Sequence, residues 1–109
     1  MVSSFIRRLG KRGNSGYVNI PKKFNKFFIG VDYVKLTYDR NRNTLVVTPA
    51  SDTEFASGVN EWIRVVSRGN NGGYTYLFIT LPSALVRKWT DVDYVRVTLS
   101  DGKLLIRPI

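Results

Sequence analysis

The chain has 109 residues, a formal net charge of +9 and 43% hydrophobic residues, with no cysteine and no histidine. A chain of this length forms one ordinary domain or two very small ones, and its apolar content is sufficient for a core. The missing cysteines exclude disulfides, a zinc site and a thiol nucleophile, and the missing histidines remove the commonest general base. The strong positive charge favours a polyanionic partner, either nucleic acid or an anionic membrane surface, although a merely soluble basic protein has the same composition.

The sequence has no recognisable targeting or membrane segment. Its longest apolar runs are a few residues, far short of the roughly 18 that span a bilayer. The N-terminal stretch MVSSFIRRLGKR lacks the apolar centre of a signal peptide. We therefore expect a soluble, cytoplasmic protein.

The first half of the chain predicts two strands, a short helix and two further strands. The strand-like segments are 5–9, 17–20, 32–39 and 44–49. The helix begins at Pro21 and ends before Gly30, which suits a helix terminus. Phe24, Phe27 and Phe28 are spaced to form one apolar face of this helix.

The second half predicts the same order of elements. Its strand-like segments are 62–68, 74–81, 94–99 and 103–107. A short helix runs from Pro82 to Trp89, with Leu85 on its apolar face. Asp101 and Gly102 are typical of a tight hairpin turn between the last two strands.

The tetrapeptide VDYV occurs twice, at 31–34 and again at 92–95. The same offset of 61 positions aligns 20–37 with 81–98 without a gap. LVVTP aligns with LLIRP at an offset of 59, and FIRR with WIRV at 57, so the length differences fall in turn-like segments. A structural repeat tolerates insertions in its turns, and we therefore predict an internal duplication.

The duplication divides the chain into a first repeat, 1–49, a linker, 50–61, and a second repeat, 62–109. The linker is small and polar and carries three acidic residues. A half of about 45 residues is too small to bury its strands alone. The two halves are therefore expected to share one core, within this chain or between chains.

These motifs together resemble a known family. A basic strand, a glycine turn, an Ile-Pro or Leu-Pro step before a short helix, the VDYV stretch and a hairpin ending in LVVTP or LLIRP follow one another in each half. This order resembles the SpoVT–AbrB swapped-hairpin domain of prokaryotic transition-state regulators and antidote-type DNA-binding proteins. The resemblance covers 5–49 and 62–108, nearly the whole chain, and the second segment fits less cleanly in its first turn.

The resemblance implies a fold and an assembly. The family usually has one copy per chain and builds an intertwined homodimer of eight strands. Two copies on one chain imply a single-chain pseudo-dimer, with the linker joining what are normally two subunits. The expected fold is mainly β with two short helices: tandem swapped-hairpin β-β-α-β-β repeats that form one intertwined, pseudo-twofold, β-barrel-like domain.

The resemblance also implies contacts with duplex DNA. The family places basic side chains on the first strand, on the strand before the proline and on the short helix. Arg7 and Arg8 occupy the first-strand positions, and Arg64 corresponds to Arg7 in the second half. Lys26 and Arg87 occupy a basic helix position.

Three positions depart from the family pattern. Tyr17 and Phe78 stand where the family often has an arginine after the turn glycine. Val65 replaces the second basic residue of the first strand in the second half. We therefore expect the second half to make fewer phosphate contacts or to have another role.

The charge distribution favours the same partner independently of the resemblance. Residues 1–50 carry a net charge of +8, residues 62–109 carry +4, and no acidic residue precedes Asp32. An acid-free positive segment suits a phosphate backbone, and a basic two-stranded ribbon can enter a major groove. The predicted DNA-binding residues are Arg7, Arg8, Lys11, Arg12, Lys22, Lys23, Lys26, Arg64, Arg68 and Arg87.

Each of these residues also has a less specific interpretation. Lysines on the polar face of a short helix are commonly only solvated, and we interpret the far-loop cations Arg40, Arg42 and Lys103 as aids to solubility. The aromatic side chains Tyr17, Tyr74 and Tyr76 either stack on bases or, more commonly at strand positions, form core and cross-strand pairs. The predicted core aromatics are Phe24, Phe28, Trp62 and Trp89.

An enzyme is not expected, because the carboxylates are few and scattered and neither Ser15 nor Ser83 has an adjacent base. No cofactor or metal is expected, and both helices are too short for a membrane-surface role. We expect a double-stranded DNA-binding, nucleoid-associated transcriptional regulator of a bacterium, an archaeon or an archaeal virus, either a monomeric pseudo-dimer or a further homodimer. Because its halves differ, its DNA site should be asymmetric or imperfectly palindromic.

Two alternatives stay open. One is an architectural DNA-binding protein with little sequence preference. The other is an antitoxin-like protein-interaction module. Antitoxins of the family carry a C-terminal tail, whereas this sequence ends at Ile109 directly after the last predicted strand, which argues against the second alternative.

Overall fold

The computed structural model describes residues 3–51, 53, 55, 56 and 58–109. It is mainly β, as predicted, and its helices are a 3₁₀ helix, Lys22–Phe28, and α1, Ser83–Lys88. The strands are β1 (Ser3–Arg8), β2 (Gly10–Arg12), β3 (Ser15–Asn19), β4 (Tyr33–Asp39), β5 (Thr44–Ala50), β6 (Glu61–Val65), β7 (Ser67–Asn71), β8 (Tyr74–Leu81), β9 (Tyr94–Ser100) and β10 (Lys103–Pro108).

The strands form two antiparallel sheets. The larger has six strands in the order β1-β9-β10-β5-β4-β6, and the smaller has four in the order β2-β3-β8-β7. Hairpins account for the pairs β2–β3, β4–β5, β7–β8 and β9–β10. The other four pairs, β1–β9, β5–β10, β4–β6 and β3–β8, each join a strand from the first half to one from the second.

One hydrophobic core contains side chains from both sheets and both helices. Phe24, Phe28 and Trp89 are buried, as predicted, and the two phenylalanines bring the 3₁₀ helix against the sheets. Trp62 was predicted in the same group, but it is only partly buried and packs against the edge of the core. Its strand, β6, is the outermost strand of the larger sheet, so one side of Trp62 has no neighbouring strand to cover it.

The predicted strand over 62–68 was wrong in one respect, because it is two strands that belong to different sheets. The chain leaves β6 at Val66, which is 2% exposed and donates its backbone N–H to the carbonyl of Asp32. Leu9 makes the corresponding crossing between β1 and β2, and it donates to the carbonyl of Asp93. At both crossings the residue between the two strands buries an apolar side chain and donates its backbone N–H. A run of strand-like residues in the sequence therefore gives no sign that the strand is interrupted there.

Two turns follow the sequence prediction. Asp101 and Gly102 both have positive φ angles, 52° and 75°, as a tight hairpin between β9 and β10 requires. Gly30, with φ of 74°, ends the 3₁₀ helix. Among the described residues, neither helix has the length and apolar character needed to cross a bilayer.

Candidate nucleic-acid interface

The smaller sheet has one face in the core and one face that forms a cleft of about 820 Å³. Side chains alternate between the faces of a strand. On β8, Leu77 and Ile79 are buried, whereas Tyr76 and Phe78 line the cleft. The cleft residues come from both halves of the chain, because β3 and β8 pair at its centre.

The lining of the cleft combines aromatic and cationic side chains. The aromatic members are Tyr17, Tyr74, Tyr76 and Phe78, and the cationic members are Arg7, Arg12 and Lys22. The remaining lining is mostly polar and includes asparagine side chains from β3 and β7. The cleft therefore offers flat π surfaces beside positive charge, and among its described lining residues there is no acidic side chain.

Two of the aromatic rings lie over glycines on the neighbouring strand. Tyr17 is directly opposite Gly10, and a Cβ built on Gly10 would have both Cε atoms of Tyr17 at 2.5 Å. Tyr76 is directly opposite Gly69, where an added Cβ would collide with the ring in the same way. Phe78 lies between the two tyrosines, with ring centroids 6.0 Å from each. The three rings thus form a continuous row across the sheet.

Of the ten predicted DNA-binding residues, the structure brings three into the cleft: Arg7, Arg12 and Lys22. Arg7 is half-buried on β1, lies over the Phe5 ring at 5.6 Å and donates to the carbonyl of Ile6. Lys22 extends over the ring of Tyr74, with its Nζ 5.1 Å from the centroid. Arg12 is exposed on β2.

The other four predicted cations of the first half lie outside the cleft lining. Lys11 projects toward the end of α1, where its Nζ donates to the carbonyl of Thr90 at 2.6 Å. Lys23 lies over the Phe5 ring at 5.9 Å. Arg8 and Lys26 are exposed, on β1 and on the 3₁₀ helix.

The three predicted residues of the second half are spread over three elements. Arg64 is half-buried on β6 and donates to the carbonyl of Ile63 at 3.1 Å. Arg68 is exposed on β7, and Arg87 is exposed on α1. None of the three lines the cleft, so all the described cations of its lining come from the first half.

No ion pair between described residues includes any of the ten predicted DNA-binding residues. The ion pairs within the described part of the chain are Lys35 with Glu61, at 3.4 Å, and Arg42 with Asp39, at 3.9 Å. Neither includes any of the ten. The predicted DNA-binding cations before Asp32 therefore have no carboxylate partner among the described residues of the folded chain.

Sequence reasoning missed some of the cleft. Phe78 was noted only as a departure from the family pattern, and the asparagines Asn19, Asn70 and Asn71 were not considered. A signal was present in the segment YTYLFIT, where aromatic residues recur at every second position from Tyr74 to Phe78. Such a period places all three rings on one face of a strand.

Comparison with known proteins finds no relative of this chain. No family model, no curated protein and no solved structure matches the chain. Among the described residues, no group of three or more acidic side chains is placed to hold a metal ion. The cleft and the cations that have no carboxylate partner in the described chain are therefore the features that indicate a function.

Proposed function

We propose that the protein binds double-stranded DNA as a transcriptional regulator, and that it is a single-chain pseudo-dimer of two SpoVT–AbrB-like halves. The observation that carries the DNA-binding proposal is the group of cations on β1, β2 and the 3₁₀ helix, which have no carboxylate partners in the described chain. Arginines held close together without acids repel one another, and a phosphate backbone would supply the missing negative charge.

The register of the outer strands supports the pseudo-dimer. Arg7 on β1 pairs with Val95 on β9, and Arg64 on β6 pairs with Val34 on β4. Arg64 lies 57 positions after Arg7, and Val34 lies 61 positions before Val95. These are the offsets of the sequence repeat, so the two pairs correspond to each other. The guanidinium of each arginine also donates to the carbonyl of the residue before it, at 3.0 Å for Arg7 and 3.1 Å for Arg64.

The central pairs support the same relation. In the smaller sheet, Val18 pairs with Ile79, which is 61 positions later. In the larger sheet, Val46 pairs with Leu105, which is 59 positions later. When a residue pairs with its own counterpart, a twofold axis passes between the two, so these two pairs are consistent with one pseudo-twofold axis through both sheets. A pseudo-twofold protein suits a duplex, whose two strands are themselves related by twofold axes.

The differences between the halves favour an asymmetric DNA site. Arg8 and its counterpart Val65 are both exposed, Val65 to 57% of its full area. A phosphate contact available to the first half is therefore missing from the second. We expect one half-site to be bound more strongly, and the preferred sequence to be an imperfect palindrome.

Fluorescence anisotropy with a random-sequence duplex across a salt series tests the proposal. Neutralising roughly four to eight phosphates should make log K fall with log salt with a slope of about −4 to −7. Replacing both Arg7 and Arg8 by alanine should reduce the magnitude of that slope by about 1 to 2. Circular dichroism would show whether the half-buried Arg7 can be removed without unfolding.

A charge-matched control is available in the double substitution Arg40→Ala with Lys103→Ala. Both residues are exposed and belong to the β4–β5 and β9–β10 hairpins, and their removal lowers the net charge by the same two units. The slope should stay within experimental error. Absence of duplex binding at low salt would refute the proposal. If binding is found, selection from random duplexes separates a regulator, which enriches a sequence, from an architectural protein, which does not.

A further inference from the structure

The cleft contains a feature that duplex binding does not use, namely aromatic rings that present their faces. Bases in a duplex expose only their edges in the grooves, since their faces are covered by the base pairs above and below. A flat ring can stack on a base only when that base is unpaired or has left the stack. The cations alone would suit either form of nucleic acid, whereas the rings distinguish between them.

The rings of Tyr17 and Tyr76 each cover a glycine of the neighbouring strand. Tyr17 has Cε1, Cε2 and Cζ at nearly equal distances from the Cβ position of Gly10, so the ring lies face-on over the glycine. Since Tyr17 also lines the cleft, a base would stack on the face turned away from Gly10. Tyr76 covers Gly69 in the same manner, and Phe78 fills the space between them. The backbone of the neighbouring strands thus serves as a rigid support for the stacking surface.

Tyr74 continues this surface toward solvent. It is 43% exposed, and it follows the same face of β8 as Tyr76 and Phe78. The Nζ of Lys22 lies over this ring, 5.1 Å from its centroid, so a base would stack on the opposite face. A base stacked on Tyr74 would therefore have a cation within reach of its own phosphate, and Lys22 comes from the other half of the chain. Arg12 provides a further cation in the lining.

We propose that the cleft binds unpaired nucleotides of a single strand, with bases stacked on Tyr74 and Tyr76 and with Lys22 and Arg12 contacting phosphates. This inference rests on the proposed nucleic-acid binding, and it adds single-stranded nucleic acid as a second ligand of the protein. Stacking is tolerant of sequence because every base has a π face, so little base preference is expected.

The test compares three fluorescein-labelled ligands of 15 units: oligo-dT, oligo-rU and a blunt duplex, each titrated with the full chain by anisotropy. Tyr74→Ala should weaken oligo-dT binding by about 5- to 150-fold and change duplex binding by less than about twofold. Tyr74→Phe keeps the ring and should bind oligo-dT within about twofold of the unmodified protein. The matched control is Tyr94→Ala, since Tyr94 is 48% exposed on the larger sheet and lies outside the cleft lining.

An abasic oligonucleotide of the same length separates base stacking from phosphate attraction. It should bind more weakly than oligo-dT, and Tyr74→Ala should not weaken it further. Comparison of oligo-dT with oligo-rU shows whether the physiological strand is DNA or RNA. Duplex binding with neither oligo-dT nor oligo-rU bound, or single-strand binding that Tyr74→Ala and Tyr94→Ala weaken equally, would overturn the inference and leave the proposed function standing. Failure of all three ligands to bind at low salt would overturn both.

Discussion

Asn43 connects the loop after β4 to helix α1 through a single side-chain oxygen. Its Oδ1 accepts hydrogen bonds from the hydroxyl of Tyr38 and from Nε1 of Trp89, the latter at 2.9 Å. Trp89 is 2% exposed, so its N–H has no access to bulk water, and the Tyr38 and Trp89 rings also meet edge to face at 6.4 Å. Asn43 has a φ of 50°, which asparagine tolerates better than most residues.

Asn43→Gly should lower the free energy of unfolding by about 1–3 kcal/mol, because it leaves the buried indole N–H of Trp89 unpaired. Glycine is chosen since it accepts the positive φ, and the control variant below carries the same backbone-entropy cost of a new glycine. The measurement is urea unfolding followed by tryptophan fluorescence. Asn41→Gly, an exposed position in the same loop, should change stability by less than about 0.5 kcal/mol. Equal losses in the two variants would contradict this role of Asn43.

At the scale of elements, the hairpin between β9 and β10 depends on its two-residue turn. Asp101 and Gly102 have φ of 52° and 75°, and both are exposed, so the turn is fixed by backbone conformation and not by packing. Apart from the two chain neighbours of Gly102, no described residue has a heavy atom within 4 Å of a Cβ added there. Any cost of substitution there is therefore conformational.

Gly102→Ala should destabilise the protein by about 1–2 kcal/mol, the cost of placing a Cβ in the left-handed region. Thermal unfolding by circular dichroism measures the effect. Gly58→Ala is the control, because Gly58 does not have a left-handed φ and the contact of a Cβ there with the described residues is with Glu61, at 3.5 Å or more. Equal melting temperatures for the two variants would show that the turn conformation does not contribute to stability.

The elements show what the sequence could and could not predict. Tyr74–Leu81 was predicted with the observed bounds, because a run of aromatic and β-branched residues between a Gly-Gly pair and a proline is a strong strand signal. β2 was missed and β7 was partly missed, since glycine-rich segments are typical of turns. In the folded chain, the rings of Tyr17 and Tyr76 cover Gly10 and Gly69 from the neighbouring strands and supply the packing that these glycines lack.

At the scale of the whole molecule, the cleft could not be predicted from either half alone. The contact between Lys22 and Tyr74 joins residues 52 positions apart, and it exists only because β3 pairs with β8. The sequence identified the basic residues by type and clustering, and it marked Tyr74 and Tyr76 as possible stacking residues. Which cations accompany those rings depends on pairing between halves, which no local pattern encodes.

The same pairing predicts how the molecule responds to being cut between its halves. Four of the strand pairs in the two sheets join the halves, and both halves contribute to one core. A protease site introduced beside the exposed Phe55 should therefore yield two fragments that stay associated and keep the β-sheet circular dichroism spectrum. Unfolding of the cut protein becomes dissociation, so its stability should fall by about 1.4 kcal/mol with each tenfold dilution.

The uncut protein is the control, and its urea midpoint should not change with concentration. Associated fragments with a concentration-dependent midpoint would mean that the connecting segment only holds two mutually dependent halves together. Fragments that separate and each remain folded would show instead that the halves are independent domains. That result would remove the basis for the proposed pseudo-dimer on DNA, because these four strand pairs fix where the predicted DNA-binding residues of one half lie relative to those of the other.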